Sequence, residues 1–598
     1  MKARRYWLMA VVALLFGMAA EAVPVRPGQW ITVTLADGTT VSVEARGDEY
    51  SSWWRDAQGR CYVRQGDTFV MTDLKTINAQ RRAIQDRFSS PSRRALCTST
   101  IDGLGNRGWS AQGSLYSIGE WEIPVLMVEF SDVKFNIEHT PAFIQEYLTK
   151  EGFQYNNPKN GKTYGVGCVR DYFVAQSKGM FQPNFKVLGK VTLDKPSSYY
   201  GENVKQGDNV IKDLHCVELP GDAMQAAVAQ IPGVDFAKYD IKAKDLLHYD
   251  GIPLIVLLFA GIAESEHVNQ PYLLWPHQRD LWKDENTGTD WRKVKLDDNV
   301  TVTLNSYFIG NELSDYQTDQ GETVTGLAGI GVMAHELGHA LGLPDWYATD
   351  NDPVTGEAPV QGDNPFGNWS VMDTGPYCGG NGNWTPMGYT AYERSYLGWW
   401  SIGLSDGSGR YKLYPPYTLF PGTTENIAGD CMVFRRDYDP NNEGYKEYFI
   451  IETRQPSTWY PNDLGTGLML SRYSYDPTEW QWDRPNNTYS KRRAIMITAD
   501  GTKLNYNAAN SNLFGNGVNT ISNQKFMSGA DWGVTISNIT KNVDGSVEFD
   551  LQLTTGINNV KEDSESTVSD AIYDLQGRQV DNPSKGVYIV NGKKVFIK

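Results

Sequence analysis

Apolar and polar positions follow different patterns in different parts of this 598-residue chain. Residues 29–38 alternate and close on an Asp-Gly pair, which predicts a β-hairpin. Residues 122–130 and 251–261 are nearly unbroken apolar runs, as is typical of strands buried on both faces. Helical patterns lie between and around these runs, over residues 141–150, 169–177 and 222–230. Interleaved strands and helices predict an α+β domain over residues 113–400.

The pattern changes again after residue 400. Short alternating runs at residues 448–452, 468–471 and 546–551 are separated by turns rich in Gly and Asn. They favour an all-β, sandwich-like domain over residues 401–553. A polar stretch and a short β segment then follow, so residues 554–598 are predicted to form a linker and a C-terminal tail.

The first residues predict export. Three basic residues within the first five precede an apolar stretch over residues 7–20, and Ala20 and Ala22 offer small side chains at a cleavage position. The apolar stretch is too short to span a bilayer comfortably, and no later run reaches about 18 apolar residues. We therefore expect a signal peptide over residues 1–22, no membrane span, and a secreted or cell-surface protein.

The segment before the predicted α+β domain has the features of a propeptide. It begins with strand patterns and ends in residues 89–112, which are rich in Ser, Arg and Gly and include Arg93 and Arg94. A folded segment, a cleavable linker and then a larger domain form the order expected of a proprotein. We therefore predict a propeptide over residues 23–112, with activation at Arg93-Arg94 as a hypothesis.

Charge and cysteine content narrow the possible partners. The formal net charge of −16 and the pI near 5.0 argue against nucleic acid or an anionic membrane as the main partner. The six cysteines are widely spaced and form no CxxC pair, so they do not define the fold and their pairing stays open. We expect a monomer.

One motif carries chemistry: the sequence HELGH runs from His335 to His339. Positions four apart share a helix face, so these two histidines can bind one metal ion together. Glu336 can then reach a water on that ion. The alternative is a surface helix that happens to carry two histidines, but the apolar residues 326–334 predict a buried helix. The motif therefore predicts zinc hydrolysis with Glu336 as a catalytic residue.

The residues after the motif predict a third metal ligand. Gly342 stands where a helix end favours a left-handed residue, and Pro344 prevents the helix from resuming. The chain therefore turns sharply and returns Asp345 towards the two imidazoles, which describes a catalytic zinc site with one open position. Glu393, in a predicted helix further along, is the alternative third ligand; otherwise we expect it to pair with a nearby arginine.

The extended sequence HELGHALGLPDWY, together with NWSVMDTG at residues 368–375, resembles the immune inhibitor A family of secreted bacterial zinc metallopeptidases. Residues 124–130, 169–177, 275–277 and 390–399 are also similar to that family. The resemblance implies a zincin- or metzincin-like catalytic domain that hydrolyses peptide bonds of extracellular proteins. It implies zinc held by His335, His339 and Asp345, and Glu336 as the general base. Met372 would form the apolar floor of the site.

Several further residues have candidate roles that the sequence supports less specifically. Tyr377 is the candidate for stabilising the oxyanion, and an ordinary loop tyrosine is the alternative. Cys61 could block zinc as a thiolate but lacks a recognisable switch motif, which favours a structural cysteine. Residues 240–245 lack the pattern of a calcium loop, so calcium is possible but not located.

The C-terminal tail and the β domain suggest partners. Residues 572–578 and 586–590 resemble the sorting tails of type IX secretion in Bacteroidetes, which implies the secretion machinery as a partner. Trp459, Trp480 and Trp482 could instead stack on sugars, so a glycan- or surface-binding protein is the rival function. A buried core is the other explanation of these tryptophans. A zinc amidase acting on other substrates is a third possibility.

Overall fold

The structure is a computed structural model, and two compact units divide at residue 552. The predicted signal peptide, Arg93, Arg94 and Cys97 lie outside the residues it describes. The described residues are 23–26, 28–48, 52–66, 68–73, 76–77, 113–206, 209–242, 250–284, 287–349, 364–378, 382–404, 407–422, 426–435, 446–460, 465–476, 479–480, 483–502, 504, 509–553, 572–573, 586–590 and 593–597.

The first sheet contains five strands in sequence order, each antiparallel to the next. Its first two strands form the hairpin that the alternating pattern predicts, which confirms that expectation. Asp37 Oδ1 accepts the Thr39 N–H at 2.9 Å within the tight turn. The strands are β1 Trp30–Thr34, β2 Thr40–Gly47, β3 Ser52–Asp56, β4 Cys61–Gln65 and β5 Thr68–Thr72.

The central sheet lies in the part of the chain predicted to be catalytic. Its strands are ordered β13-β16-β12-β6-β9, with β17 also paired to β16. The predicted buried runs form β6 and β12, which are parallel neighbours at its centre. β13 is antiparallel to β16 at one edge. The strands of this region are β6 Gly119–Glu129, β7 Tyr155–Asn156, β8 Thr163–Tyr164, β9 Phe181–Thr192, β10 Val204–Gln206, β11 Asn209–Ile211, β12 Ile255–Ile262, β13 His277–Asp280, β14 Lys293–Lys295, β15 Thr301–Thr303, β16 Ser306–Gln317 and β17 Thr323–Leu327.

Six α-helices occur within the described residues, and five of them confirm predicted helices. Pro141 opens the first, and the Thr140 hydroxyl caps it by accepting the Phe143 N–H at 3.2 Å. The helix that carries HELGH is buried along its whole length and packs against β13 and β16. The helices are α1 Pro141–Thr149, α2 Val169–Ser177, α3 Ser197–Tyr200, α4 Leu219–Gln230, α5 Gly331–Ala340 and α6 Ala391–Tyr396.

Two further sheets follow the central one. The first has the order β18-β20-β21-β22-β23 and the second β19-β25-β24. Val433, Ile450 and Met469 of these sheets belong to the same apolar core as Leu337 of α5. The β-rich region, by which we mean residues 401–553, therefore shares its apolar core with helix α5. The strands are β18 Ser401–Leu404, β19 Gly409–Leu413, β20 Ile427–Arg435, β21 Lys446–Arg454, β22 Gly467–Tyr475, β23 Ala494–Ile497, β24 Val534–Lys541 and β25 Val547–Leu553.

The second unit is a small sheet, as the tail pattern predicts. Its three strands are antiparallel to their neighbours, in the order β26 Ile572–Tyr573, β27 Gly586–Val590 and β28 Lys593–Ile597. Across all the described residues, no helix is long and apolar enough to cross a membrane. No disulfide joins Cys61, Cys168, Cys216 and Cys431, which are all buried.

Candidate metal centre

Helix α5 brings the two histidines of the motif together. The rings of His335 and His339 lie 4.6 Å apart between centroids, and both side chains are buried. His335 Nδ1 lies 2.7 Å from the carbonyl oxygen of Val371, and His339 Nδ1 lies 2.8 Å from that of Leu343. A carbonyl oxygen only accepts, so each Nδ1 carries the proton and donates it. Both Nε2 atoms therefore point their lone pairs into the centre.

The turn after α5 delivers a carboxylate to the same place. Gly342 adopts a φ of +104°, a left-handed conformation that favours glycine. Asp345 follows, and its Oδ1 lies 3.2 Å from His335 Nε2 and 3.4 Å from His339 Nε2. The Asp345 N–H donates to Asp483 Oδ1 at 2.6 Å, which fixes the turn from the β-rich region.

Three lone-pair donors converge with no proton donor supplied by the protein between them. The two Nε2 atoms are 2.9 Å apart, and Asp345 Oδ1 accepts no hydrogen bond. The ligand atoms of the three side chains all lie within 4.8 Å of one another. Within the described residues, this is the one cluster of at least three His, Cys, Asp or Glu side chains arranged to hold a metal ion. Such an arrangement fits a cation and is unfavourable without one.

Electrostatics agree with a cation-binding role for these ligands. Burial lowers the pKa of His335, which keeps its imidazole neutral and able to act as a ligand. Burial by itself would raise the pKa of Asp345, but the proximity of His339 and His335 outweighs burial and lowers that pKa. Metal binding requires neutral histidines and an ionised carboxylate, and this environment favours both.

Met372 lies directly against the metal-binding helix. A Cβ at Gly338 would fall 2.5 Å from Met372 Sδ and 3.0 Å from the Tyr389 hydroxyl, so only glycine permits this close approach. The Trp346 N–H donates to the Met372 carbonyl oxygen at 3.0 Å and ties the turn after α5 to this segment. The structure therefore places Met372 beside the site, where the family resemblance expects it.

Glu393 does not reach the histidines and is held elsewhere. Its carboxylate accepts hydrogen bonds from the Trp346 indole, the Ser370 hydroxyl and the Thr390 N–H. Together with Thr390 it forms the capping box at the start of α6. The expectation of an arginine partner is wrong, because Arg394 pairs with Asp430 instead. The Thr-x-x-Glu spacing of Thr390 and Glu393 is the sequence signal of this cap.

Glu336 faces the N-terminal segment of the chain. Its Oε1 accepts the backbone N–H of Val23 at 2.8 Å, and its Oε2 accepts that of Gln278 at 2.7 Å. The side chain is fully buried, and this burial raises its pKa well above the ordinary value. Neither contact could be predicted from the motif, because both partners are distant in sequence.

Tyr377 also contacts this segment. Its hydroxyl donates to the Pro24 carbonyl oxygen at 2.7 Å. Burial raises the pKa of Tyr377 well above its ordinary value, and the charge of Glu266 adds to the effect, so the phenol keeps its proton and remains a donor. Tyr377 thus lies beside the N-terminal segment and binds a backbone carbonyl oxygen there. Its contact with an oxyanion stays a prediction.

Other candidate residues lie away from the centre. Cys61 lies in β4 and packs against Trp53 and Ile77, and its Sγ is 3.7 Å from the Gly59 carbonyl oxygen. These contacts agree with a structural role. Trp459 and Trp480 are each 4% exposed and form part of the core, so neither can stack on a sugar in this form. Trp482 lies outside the described residues.

The fold, the His-His-Asp cluster and the relatives of the chain support a metallopeptidase. Residues 119–254 and 273–403 match the family described as immune inhibitor A peptidase M6, catalytic domain. The match encloses all three ligand candidates and Glu336.

Relatives point to the same class. The chain is 26% identical over 301 residues to pre-pro-metalloprotease PrtV of Vibrio cholerae, covering 46% of this chain and 29% of that protein. It is 24% identical over 293 residues to immune inhibitor A of Bacillus thuringiensis subsp. alesti, covering 46% of this chain and 39% of that protein. The similarity therefore spans well under half the length of each relative.

Proposed function

We propose that this protein is a secreted, zinc-dependent endopeptidase that hydrolyses peptide bonds of extracellular proteins. The observation that carries the proposal is the position of Glu336. Its carboxylate lies on the same helix as two metal-ligand candidates and already holds a peptide nitrogen, that of Val23, at 2.8 Å. In peptide hydrolysis the general base must contact the attacking water and also the nitrogen that leaves.

His335 and His339, through Nε2, and Asp345, through Oδ1, would hold the zinc ion. Three protein ligands leave a fourth position open, as in catalytic zinc sites. Zinc bound there lowers the pKa of a water to about 7 and polarises the scissile carbonyl. The Val371 and Leu343 carbonyl oxygens orient the two imidazoles by accepting from Nδ1.

Glu336 acts as the general base and then as the general acid. It takes the proton of the attacking water and passes it to the amine that leaves. The contact with the Val23 N–H supports the second transfer, because the Glu336 carboxylate there binds a backbone nitrogen. Tyr377 is the proposed donor to the oxyanion, supported by its hydroxyl donating to a carbonyl oxygen in the same cleft.

Export and latency belong to the same proposal. Residues 1–22 serve as the signal peptide, 23–112 as the propeptide and 554–598 as a linker and sorting tail. The Vibrio cholerae relative is named a pre-pro-metalloprotease, which supports this order. The N-terminal sheet packs on the catalytic region. At this contact the Lys212 ammonium group forms a buried ion pair with Glu264 at 3.2 Å and also donates to the Ser52 hydroxyl of β3.

The substitution Glu336→Gln tests the function. It keeps the shape of the side chain and removes the base, so we expect cleavage of an unfolded protein substrate to fall about 100- to 10,000-fold with zinc content unchanged. Glu322→Gln, at an exposed position, is the matched control and should retain full activity. Normal cleavage by the Glu336 variant would reject the proposed mechanism.

A further inference from the structure

The segment of residues 345–349 begins at the proposed third metal ligand and lies outside any helix or strand. Four of its five residues are buried. Buried backbone groups need hydrogen-bond partners, and here no helix turn or neighbouring strand supplies them. The groups that bind this segment therefore also set the position of the Asp345 carboxylate.

Three backbone groups of the segment bind side chains of residues 483–487, which belong to the β-rich region. The bonds run from the Asp345 N–H to Asp483 Oδ1 at 2.6 Å, from the Asn486 side-chain amide to the Trp346 carbonyl oxygen at 2.7 Å, and from the Thr349 N–H to Asn487 Oδ1 at 2.8 Å. Both ends and the interior of the segment are thus held from one short stretch of the β-rich region.

One further hydrogen bond and aromatic packing strengthen this contact. The Thr349 hydroxyl donates to the Asp483 carbonyl oxygen. The ring of Trp346 lies 5.8 Å from that of Trp480 and 5.9 Å from that of Tyr473 between centroids, in edge-on geometry. Trp346 and Asp483 are both buried, so the contact is shielded from water.

The side chains that hold the segment are themselves fixed. Asp483 has a φ of +48°, a left-handed conformation that Asp and Asn tolerate better than most residues, and its N–H donates to the Trp480 carbonyl oxygen at 3.2 Å. The Asn486 amide also donates to the Ala494 carbonyl oxygen at 2.7 Å, and its Oδ1 accepts the Ala494 N–H at 3.0 Å. Asn486 is therefore tied to the start of β23.

We propose that Asp483, Asn486 and Asn487 are positioning residues of the metal centre, which hold residues 345–349 so that the Asp345 carboxylate stays beside both histidines. A ligand atom must lie within about 0.2 Å of its ideal distance from zinc, so loosening this segment lowers zinc affinity. The functional unit then extends past residue 403, where the family match ends, into the β-rich region. The inference rests on the proposed function, because it takes Asp345 to be a zinc ligand.

Equilibrium zinc binding by the full-length chain tests this inference. Asp483→Ala removes the acceptor of the Asp345 N–H, and we expect zinc affinity to fall roughly 10- to 100-fold, as is typical when an outer partner of a ligand is lost. Asp483→Asn keeps an oxygen at the same place and should bind zinc with near wild-type affinity. Glu447→Ala is the matched control, because Glu447 is a buried carboxylate of the same region that accepts the Ser528 N–H at 2.8 Å.

Melting temperatures with and without zinc separate positioning from a general loss of stability. Asp483→Ala and Glu447→Ala should both lower the melting temperature of the metal-free chain. Only Asp483→Ala should reduce the rise that zinc produces, because stabilisation by a ligand follows its affinity. If Asp483→Ala does not fold, Asn487→Ala gives the same test at the other end of the segment, and Asn487→Asp retains the oxygen that accepts the Thr349 N–H.

Two results would overturn the inference. One is wild-type zinc affinity in Asp483→Ala and Asn487→Ala. The other is an equal loss in Asp483→Ala and Asp483→Asn, which would show that the charge of Asp483 matters and its hydrogen bond does not.

Asp345→Asn distinguishes failure of this inference from failure of the proposed function. If Asp345→Asn loses zinc while the Asp483 and Asn487 variants keep it, the metal centre stands and only the positioning role is rejected. If Asp345→Asn keeps full zinc affinity, the proposed centre is rejected together with the inference that rests on it.

Discussion

At the scale of single residues, the site is defined by which atoms carry protons. Val371 and Leu343 accept from the Nδ1 atoms and thereby turn both Nε2 lone pairs inward, towards Asp345. These carbonyl oxygens therefore favour the ring orientation that a metal-binding pair of histidines needs. The motif predicts the histidines, but the carbonyl groups that orient them come from the folded chain.

Two substitutions distinguish Asp345 from Glu393 as the third zinc ligand. Asp345→Asn removes an ionised oxygen from the cluster, so we expect zinc affinity to fall by more than the roughly 10- to 100-fold typical of losing an outer partner. Glu393→Gln should leave zinc affinity near the wild-type value, because its carboxylate binds Trp346, Ser370 and Thr390. Equilibrium zinc binding by both variants is the measurement. Full affinity in the Asp345 variant would contradict the assignment.

At the scale of elements, the turn after α5 connects the helix to Asp345, the proposed third metal ligand. The Leu343 N–H donates to the Gly338 carbonyl oxygen at 3.0 Å, and Gly342 takes the left-handed conformation between them. The same turn places the Leu343 carbonyl oxygen on His339. One glycine therefore controls the direction of Asp345 and the orientation of His339 together.

Gly342→Ala tests this dependence. A side chain in the left-handed region costs about 1–3 kcal/mol, so we expect a lower melting temperature and weaker zinc binding. Gly221→Ala is the matched control, because Gly221 lies in α4 with open space around its Cα and alanine is the better helix former. A Gly342 variant as stable and as well metallated as the control would show that the turn does not constrain the site.

The sequence predicts local structure well and distant contacts poorly. The hairpin of β1 and β2, the buried strands β6 and β12 and the helix of the motif follow from periodicity within a few residues. The contact of Val23 with Glu336 joins residues 313 positions apart, and that of Asp345 with Asp483 joins residues 138 apart. Such contacts arise from packing of the whole chain, and no local pattern encodes them.

At the scale of the whole molecule, the N-terminal sheet, the central sheet and the β-rich region meet around one centre. Val23, which precedes β1, contacts Glu336. Helix α5 lies on the central sheet, and Asp483 of the β-rich region binds the Asp345 N–H. Leu115 already donates its N–H to the Ala340 carbonyl oxygen at 3.0 Å. The hypothesis of activation at Arg93-Arg94 places the cut in the segment before this residue.

A zinc titration of the activated enzyme tests the central claim most directly. The metal is removed with a chelator, zinc is returned in measured amounts, and cleavage of an unfolded protein is followed together with bound zinc. If the cluster of His335, His339 and Asp345 is the catalytic centre, cleavage is absent from the metal-free enzyme and rises to its full rate at one zinc per chain. Full cleavage by the metal-free enzyme, or a fully zinc-loaded enzyme that cleaves nothing, would contradict it.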